Sequence, residues 1–400
     1  MSKTWTTSWT TSGQTPTTDT IPGPLLEVPD ADLDELRARL RGTRWAEPWP
    51  VAEWQAGTDA KELRRLTEYW ADGYDWRAHE TAINELPSHF AAIDGMTVHY
   101  LRFDAEREGA LPLVLTNGWP STFYELVELA RRLSTPSRYG GDPRNAFTVI
   151  VPSLPGFTFS SPPPGLTDKS PLTHELWHRL MHDELGFERY GAHGGDLGSG
   201  ITARLGHAHP ESVVGIHLLD ILSTPPDPAS AQLTDEEREY LAAFGAWSQE
   251  EGAYAHQQRT RPLTLAQGLS DSPSGLLGWM VEKYRSWSDC GGNLSTRFTD
   301  DFLLTQASLY WFTNTIGTSF IPYYASGQGL IPKLDRVEVP TALALFPANL
   351  GAGTPAPRGF VERKYHLTRY TTMPRGGHFP AHEEPELLAE DITEFFRSVS

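Results

Sequence analysis

Apolar and polar positions along the chain predict helices in its first part and a hairpin after them. Residues 30–42 carry leucines at helical spacing and end in a glycine, and residues 59–82 hold two further helical stretches. Within residues 90–103, the turn dipeptide Asp94-Gly95 separates two short runs of β-forming residues. This pattern predicts a β-hairpin.

Short apolar runs bounded by turn residues predict buried strands after the hairpin. They are residues 111–118, 147–153, 189–195, 212–220, 339–346 and 364–373. Buried strands that alternate with helices form a mostly parallel sheet with helices on both faces. Residues 221 to about 330 interrupt the alternation with Pro-rich turns, helices and many aromatic side chains. We therefore predict an α/β fold with a helical cap domain inserted after the sixth strand.

Composition and charge exclude several function classes. The 400 residues are 39% hydrophobic and 21% charged, as in a globular protein, and no apolar run is long enough to span a bilayer. The net charge of −18 argues against nucleic acid and anionic membranes as partners, since both bind basic surfaces. The single cysteine, Cys290, excludes an internal disulfide and fits a reducing, cytoplasmic compartment. The sequence has neither Cys/His spacing for zinc nor a Gly-rich nucleotide loop after a strand, so no metal or cofactor is expected.

A glycine-rich motif after the third of these runs carries a candidate nucleophile. Residues 194–198, Gly-Gly-Asp-Leu-Gly, have the spacing of a nucleophile elbow, with Asp196 in the place usually held by Ser. An Asp nucleophile attacks saturated carbon, as in an epoxide or an alkyl halide. The alternative is that Asp196 only caps the N-terminus of the following helix.

Two further motifs supply the other parts of such a site. His378, in the loop Arg-Gly-Gly-His-Phe before the last predicted helix, is the candidate general base that activates water. Asn117-Gly118-Trp119-Pro120 follows a core strand, and the backbone N–H groups of Trp119 and Leu197 are predicted to form an oxyanion hole.

Together these motifs resemble the microsomal-type epoxide hydrolases of the α/β-hydrolase superfamily, over nearly the whole chain from about residue 24. Residues 69–80 resemble the N-terminal meander of that family, residues 269–289 its cap helix and residues 375–392 its C-terminal signature. The motif Asn-Gly-Trp-Pro matches the family's His-Gly-Trp-Pro except at Asn117. The resemblance implies an α/β-hydrolase fold and an enzyme that opens an epoxide to a vicinal diol through an Asp ester.

The resemblance and the hydrophobic pattern divide the chain into parts. We expect a disordered leader at 1–21, a meander at 22–95, a core at 96–220 and 331–400, and a helical cap at 221–330.

The family also implies two cap tyrosines that donate hydrogen bonds to the epoxide oxygen. An alkoxide is a poor leaving group, so a positioned acid is needed as the ring opens. The motif Glu-Glu-Gly-Ala-Tyr indicates Tyr254, and the motif Ile-Pro-Tyr-Tyr indicates Tyr323, with Tyr324 as the adjacent alternative.

The acid that orients the base is the point where the chain departs from the family pattern. The family places this acid in a Phe-Pro-x-Glu/Asp-Leu segment, and here Asn349 stands in its position. Asp220, at the end of a predicted strand, is one replacement, and we then expect its carboxylate to reach a ring nitrogen of His378. Alternatively, Asn349 is a neutral orienter or an engineered change, or the protein is catalytically weak.

Two other functions and the substrate stay open at this point. A haloalkane-type dehalogenase also uses an Asp nucleophile, but it usually has Trp or Asn donors for the halide, and here Leu197 follows the nucleophile. A binding protein on the same scaffold would account for the missing acid. The aromatic cap favours a bulky or aryl small-molecule epoxide, and a homodimer is left open. The cap residues concerned are Trp279, Trp287, Tyr310, Trp311 and Phe312.

Overall fold

A computed structural model describes residues 24–170, 172–221, 233–349 and 354–399. The leader expected at residues 1–21 lies outside these ranges. Eight strands form one sheet: β1 (Ser88–Ile93), β2 (Met96–Phe103), β3 (Pro112–Thr116), β4 (Thr148–Pro152), β5 (Tyr190–Gly194), β6 (Val213–Leu218), β7 (Val337–Leu345) and β8 (Tyr365–Thr372).

The strand order across the sheet is β1-β2-β4-β3-β5-β6-β7-β8. β2 is antiparallel to both β1 and β4, and every other neighbouring pair is parallel. Asp94 and Gly95 join β1 to β2 with φ angles of 52° and 75°, which is the backbone of a two-residue hairpin turn. Both the predicted hairpin and the mostly parallel sheet are therefore confirmed.

Helices cover both faces of the sheet and fill the stretch between β6 and β7. They are α1 (Asp30–Arg41), α2 (Ala60–Asp72), α3 (Trp76–Asn84), α4 (Val127–Ser134), α5 (Thr173–His178), α6 (Leu197–Ala208), α7 (Asp235–Glu251), α8 (Ala253–Thr260), α9 (Pro262–Asp271), α10 (Pro273–Trp287), α11 (Asp300–Thr313), α12 (Ile321–Gly327), α13 (Arg358–Glu362), α14 (Pro380–Glu383) and α15 (Pro385–Val399). A π-helical turn, Arg179–Glu184, continues α5, and single 3₁₀ turns occur at Phe123–Leu126, Pro136–Tyr139, Pro143–Asn145, Leu294–Thr296 and Thr318–Phe320.

Helices α7 to α12 follow β6, as expected for a cap inserted after the sixth strand. In the described part of the chain, no helix is long and apolar enough to cross a membrane.

The N-terminal helices brace this cap. The Trp70 indole donates to the Ser308 hydroxyl at 3.1 Å, and the hydroxyls of Tyr74 and Thr305 lie 2.9 Å apart, all within the buried contact of α2 and its C-terminal loop with α11. Side chains of α11 are buried on almost every side, because the helix lies between the N-terminal segment and the sheet domain. The position of the cap is therefore fixed by a segment that precedes the sheet.

The register of the central strands brings the loops that follow them to one edge. Thr116 of β3 pairs with Gly194 of β5, Gly194 pairs with Leu218 of β6, and Leu218 pairs with Leu343 of β7. The loops after these aligned residues contain the predicted nucleophile, the oxyanion-hole motif and both candidates for the orienting group. The carboxyl edge of an open parallel sheet is where such folds bind ligands.

Candidate active site

Asp196 occupies a strained turn between β5 and α6. Its φ of 52° and ψ of −123° lie in a region that non-glycine residues rarely adopt. A Cβ on Gly194 would lie 2.2 Å from the Gly198 carbonyl oxygen, and one on Gly198 would lie 2.1 Å from that of Thr116, so both positions require glycine. The Asp196 side chain makes no cap hydrogen bond to α6. The turn thus has the geometry of a nucleophile elbow, and the helix-cap alternative is wrong.

The two carboxylate oxygens of Asp196 have different surroundings. Oδ1 accepts a hydrogen bond of 3.0 Å from the backbone N–H of Trp119, and Oδ2 lies 3.6 Å from Nε2 of His378. Leu197, the other predicted donor, begins α6, where a helix provides no internal partner for its N–H groups. One oxygen therefore accepts from Trp119, one of the two predicted oxyanion-hole donors, and the other faces the base.

His378 is buried in the site, and its backbone is anchored by a hydrogen bond. Its side chain is 3% exposed, and its backbone N–H donates to the Trp287 carbonyl at 2.8 Å. Burial alone would lower the pKa of His378, but the nearby Asp196 carboxylate, with a smaller contribution from Asp220, raises it above the ordinary value.

The expected direct contact between Asp220 and His378 is wrong, because Asn349 lies between them. Nδ1 of His378 is 2.7 Å from Oδ1 of Asn349, and Nδ2 of Asn349 donates to Oδ1 of Asp220 at 2.5 Å. The other oxygen of Asp220 accepts from the backbone N–H of Asp196 at 2.9 Å. Asp220 follows β6, which pairs with β5 and therefore lies beside the elbow. Asn349 follows β7, which pairs with β8, and the loop that carries His378 comes after β8.

This chain of contacts sets the tautomer of the base. A carboxylate only accepts hydrogen bonds, so the amide nitrogen of Asn349 must face Asp220 and its oxygen must face His378. Nδ1 of His378 is then the donor, and Nε2 is free to accept a proton beside Asp196. Asp220 therefore orients Asn349, and Asn349 orients His378.

The cap residues Tyr254 of α8 and Tyr323 of α12 both pack on Trp119. The Tyr254 ring is stacked on the Trp119 ring with centroids 5.4 Å apart, and the Tyr323 ring meets it edge-on at 6.3 Å. Burial first, and the Asp196 charge second, raise the pKa of both phenols, so both stay protonated at neutral pH. The buried Tyr323 hydroxyl has no partner with good hydrogen-bond geometry among the described residues, although the Tyr254 hydroxyl lies close enough to contribute to its raised pKa. Tyr324 instead lines a separate cavity with Arg261 and Leu263.

Of the aromatic residues expected to shape the substrate site, Trp287 lies against the base. Its ring meets that of His378 edge-on at 5.0 Å. Tyr310 donates to the Ser121 carbonyl, and Phe312 packs on Trp76 of the N-terminal segment, so these two contribute to packing.

Glu125, which the sequence reasoning did not single out, also lines the cavity beside Asp196 and His378. The one signal that could have found it is its closeness to the Asn-Gly-Trp-Pro motif. In the ranges that the structure describes, no group of His, Cys, Asp or Glu side chains is arranged to hold a metal ion.

Comparisons with known proteins agree with this geometry. Residues 24–126 match the family described as epoxide hydrolase N terminus, and residues 111–267 match the alpha/beta hydrolase fold. The chain is 32% identical to epoxide hydrolase 1 of Sus scrofa over 92% of this chain and 87% of that protein. It is 32% identical to juvenile hormone epoxide hydrolase 2 of Ctenocephalides felis over 96% and 87%. The structure of Aspergillus niger epoxide hydrolase superposes with a TM-score of 0.81 at 30% identity, covering 97% of each chain.

Proposed function

The chain belongs to the epoxide hydrolase family of the α/β-hydrolase fold, and from that premise we propose that Asp196 is its nucleophile. The enzyme opens an epoxide to a vicinal diol through a covalent ester. The observation that carries the assignment is that the two oxygens of the Asp196 carboxylate have different partners: Oδ1 accepts from the Trp119 N–H, while Oδ2 faces His378.

In the first step, Oδ2 of Asp196 attacks an epoxide carbon from the side opposite the ring oxygen. A C–O ester bond forms, and the ring C–O bond breaks. Tyr254 and Tyr323 donate hydrogen bonds to the departing oxygen, and one of them gives up its proton. The Tyr323 hydroxyl supports this role, because it is buried beside that of Tyr254 without a well-formed hydrogen bond, and a ligand oxygen would satisfy it.

In the second step, Nε2 of His378 takes a proton from water as the water oxygen bonds to the ester carbon of Asp196. The displaced electron pair moves onto Oδ1, where the Trp119 N–H stabilises it. As the ester C–O bond breaks, the proton on His378 passes to the departing diol oxygen. The proton left on the new carboxyl group returns to the tyrosinate, so the site is restored.

Asn349 and Asp220 together replace the single orienting acid of the family. The amide fixes the tautomer of His378, and the carboxylate behind it supplies the negative charge. A neutral amide in contact with the base stabilises the imidazolium less than a carboxylate would, so we expect ester hydrolysis to be the slower step.

The substrate class is proposed from the aromatic walls of the site. Trp119, Tyr254, Tyr323 and Trp287 surround the space above Asp196, which favours a bulky or aryl epoxide. Rates measured on styrene-type and linear aliphatic epoxides of similar size test this, and equal values of kcat/KM for both would contradict it. Trp119 and Trp287 bring indole N–H groups without a partner among the described residues, as a halide site would, but the two protonated cap tyrosines suit an epoxide oxygen, so a dehalogenase is the weaker candidate.

A single turnover in heavy-oxygen water tests the mechanism. With enzyme in excess, the label should enter the Asp196 carboxylate and not the diol, because the diol oxygen comes from Oδ2. Peptide mass analysis locates the label. Label in the diol after one turnover would show that water attacks the epoxide directly and would overturn the ester mechanism.

A further inference from the structure

A small cavity lies directly beside the nucleophile and the base. Its lining includes Asp196, His378, Asn117, Ser121 and Glu125. The volume that water centres can occupy is about 20 Å³, which is room for one water molecule. Hydrolysis of the Asp196 ester needs a water at this place, with one proton directed at Nε2 of His378.

Asn117, which lines this cavity, carries an unpartnered acceptor. The residue is 4% exposed, and its Nδ2 donates to the carbonyl oxygens of Gly118 and Ser121, both at 3.0 Å. Carbonyl oxygens only accept, so these two contacts fix which way the amide points. Oδ1 of Asn117 is left buried without a hydrogen-bond partner in the described part of the chain. Buried acceptors are rarely left in this state unless water or a ligand serves them.

Glu125 makes the same end of the cavity polar. It lies on the 3₁₀ turn Phe123–Leu126 and is buried. Burial raises the pKa of Glu125 to about 7, although hydrogen bonding from Ser121 and the charge of His378 act in the opposite direction. The Ser121 hydroxyl is in turn 3.0 Å from that of Tyr284. The cavity therefore offers several polar groups to one water, as ordered buried water requires.

We propose that Asn117 holds the water that hydrolyses the Asp196 ester, with Glu125 forming the polar wall behind it. This rests on the proposed function, since it concerns the second step of that reaction. One hydrogen of the water points to Nε2 of His378 and is transferred. The other is held by Oδ1 of Asn117 and stays on the oxygen. The oxygen lone pair is then aimed at the ester carbon of Asp196, whose displaced electron pair moves to Oδ1 of that residue.

Because this water takes no part in ring opening, the two steps should respond differently to its loss. Asn117→Leu removes the acceptor at similar size. We expect ester hydrolysis to slow by about tenfold to a hundredfold, the effect of misplacing one reactant, while formation of the ester stays within about threefold. Rapid-mixing mass spectrometry measures both rates on the intact protein, and the variant should accumulate protein heavier by one substrate. The smaller change Asn117→Ala, which also removes the acceptor, decides by the same comparison if the leucine variant does not fold.

A matched control separates this role from general damage. Thr67 of α2 also carries a buried side-chain oxygen without a partner among the described residues, and it lies in the N-terminal segment. Thr67→Val should leave both rates unchanged. Wild-type hydrolysis in the Asn117 variants would overturn the proposal, and so would an equal loss in both steps, which indicates a structural role. If His378→Gln forms no ester, the proposed function fails instead, so the two failures are distinguishable.

Discussion

Replacing Asn349 by Asp would restore the acid of the family in the sequence, but the structure predicts little gain in rate. Nδ2 of Asn349 lies 2.5 Å from Oδ1 of Asp220, so Asn349→Asp would place two carboxylates in contact. At this distance two unit charges repel by about 7 kcal/mol if the effective dielectric constant is about 20. The pair would therefore share one proton at neutral pH, as paired aspartates do. The net charge behind His378 would stay the same, and we expect little gain in rate.

The double variant Asn349→Asp with Asp220→Asn avoids this repulsion. The new amide at 220 can still accept from the backbone N–H of Asp196 and can donate to the new carboxylate at 349, so every contact of the native pair has a counterpart. The negative charge now lies directly against His378, at the 2.7 Å separation that Asn349 has. With the same dielectric constant, a carboxylate at that distance stabilises the imidazolium by about 6 kcal/mol, whereas a carboxylate at twice the distance stabilises it by about half as much. The difference of about 3 kcal/mol corresponds to at most about two orders of magnitude in ester hydrolysis.

Single-turnover kinetics distinguish these outcomes, because steady-state rates combine both steps. Ester formation and ester decay are followed separately by rapid-mixing mass spectrometry in the wild type, the single variant and the double variant. We expect decay to be fastest in the double variant and nearly unchanged in the single variant. A single variant as fast as the double one would refute the reasoning, since it would show that the two carboxylates ionise independently.

Five further outcomes are expected. Asp196→Ala should abolish diol formation, which product analysis measures, and His378→Gln should trap protein heavier by one substrate, which intact mass shows. Wild-type turnover in either variant would remove that residue from the mechanism. Tyr254→Phe or Tyr323→Phe alone should slow ester formation by less than the roughly two to four orders of magnitude that a single acid typically contributes. The double variant should slow ester formation by about that much or more. Ester decay should be unchanged in stopped-flow traces of all three variants. Asp220→Asn alone should reverse the orientation of the Asn349 amide and so place the proton of His378 on Nε2. Ester decay should then slow by about two to four orders of magnitude. An unchanged rate of ester decay would show that the Asn349 amide does not set the tautomer of His378. In the wild type, ester decay should slow as the pH falls through the pKa of His378, because the protonated ring cannot accept a proton from water. Esterification removes the Asp196 charge that raises this pKa in the free enzyme, so the midpoint for ester decay should lie at a lower pH than the pKa of His378 in the free enzyme; a pH–rate profile checks this.

Sequence patterns predicted the fold well because its central parallel strands are buried along almost their whole length. Every run expected to form a strand overlaps one in the sheet, since buried parallel strands leave a hydrophobic signal that needs no knowledge of their neighbours. The elbow was equally readable, because Gly194 and Gly198, on either side of Asp196, are required by contacts under 2.5 Å.

The network around the base could not be predicted in the same way. Whether Asp220 or Asn349 touches His378 depends on which loop lies beside the β8 edge, and that is a property of strand order. The unpartnered oxygen of Asn117 is likewise invisible in sequence, because it results from where two backbone carbonyls happen to lie. Tyr323 and Tyr324 are adjacent on α12, and only the direction of each side chain separates the site from the second cavity.

The brace between the N-terminal helices and the cap has a consequence for how the protein is made. Trp70 and its partner Ser308 are 238 residues apart in the chain. At usual rates of synthesis, a ribosome needs roughly ten to fifty seconds to cover that distance. During this time the aromatic face of α2 has left the ribosome but its binding surface on α11 does not yet exist. The nascent chain therefore exposes an aggregation-prone apolar surface until the cap emerges. This is the interval in which chaperones matter most to the yield of folded protein.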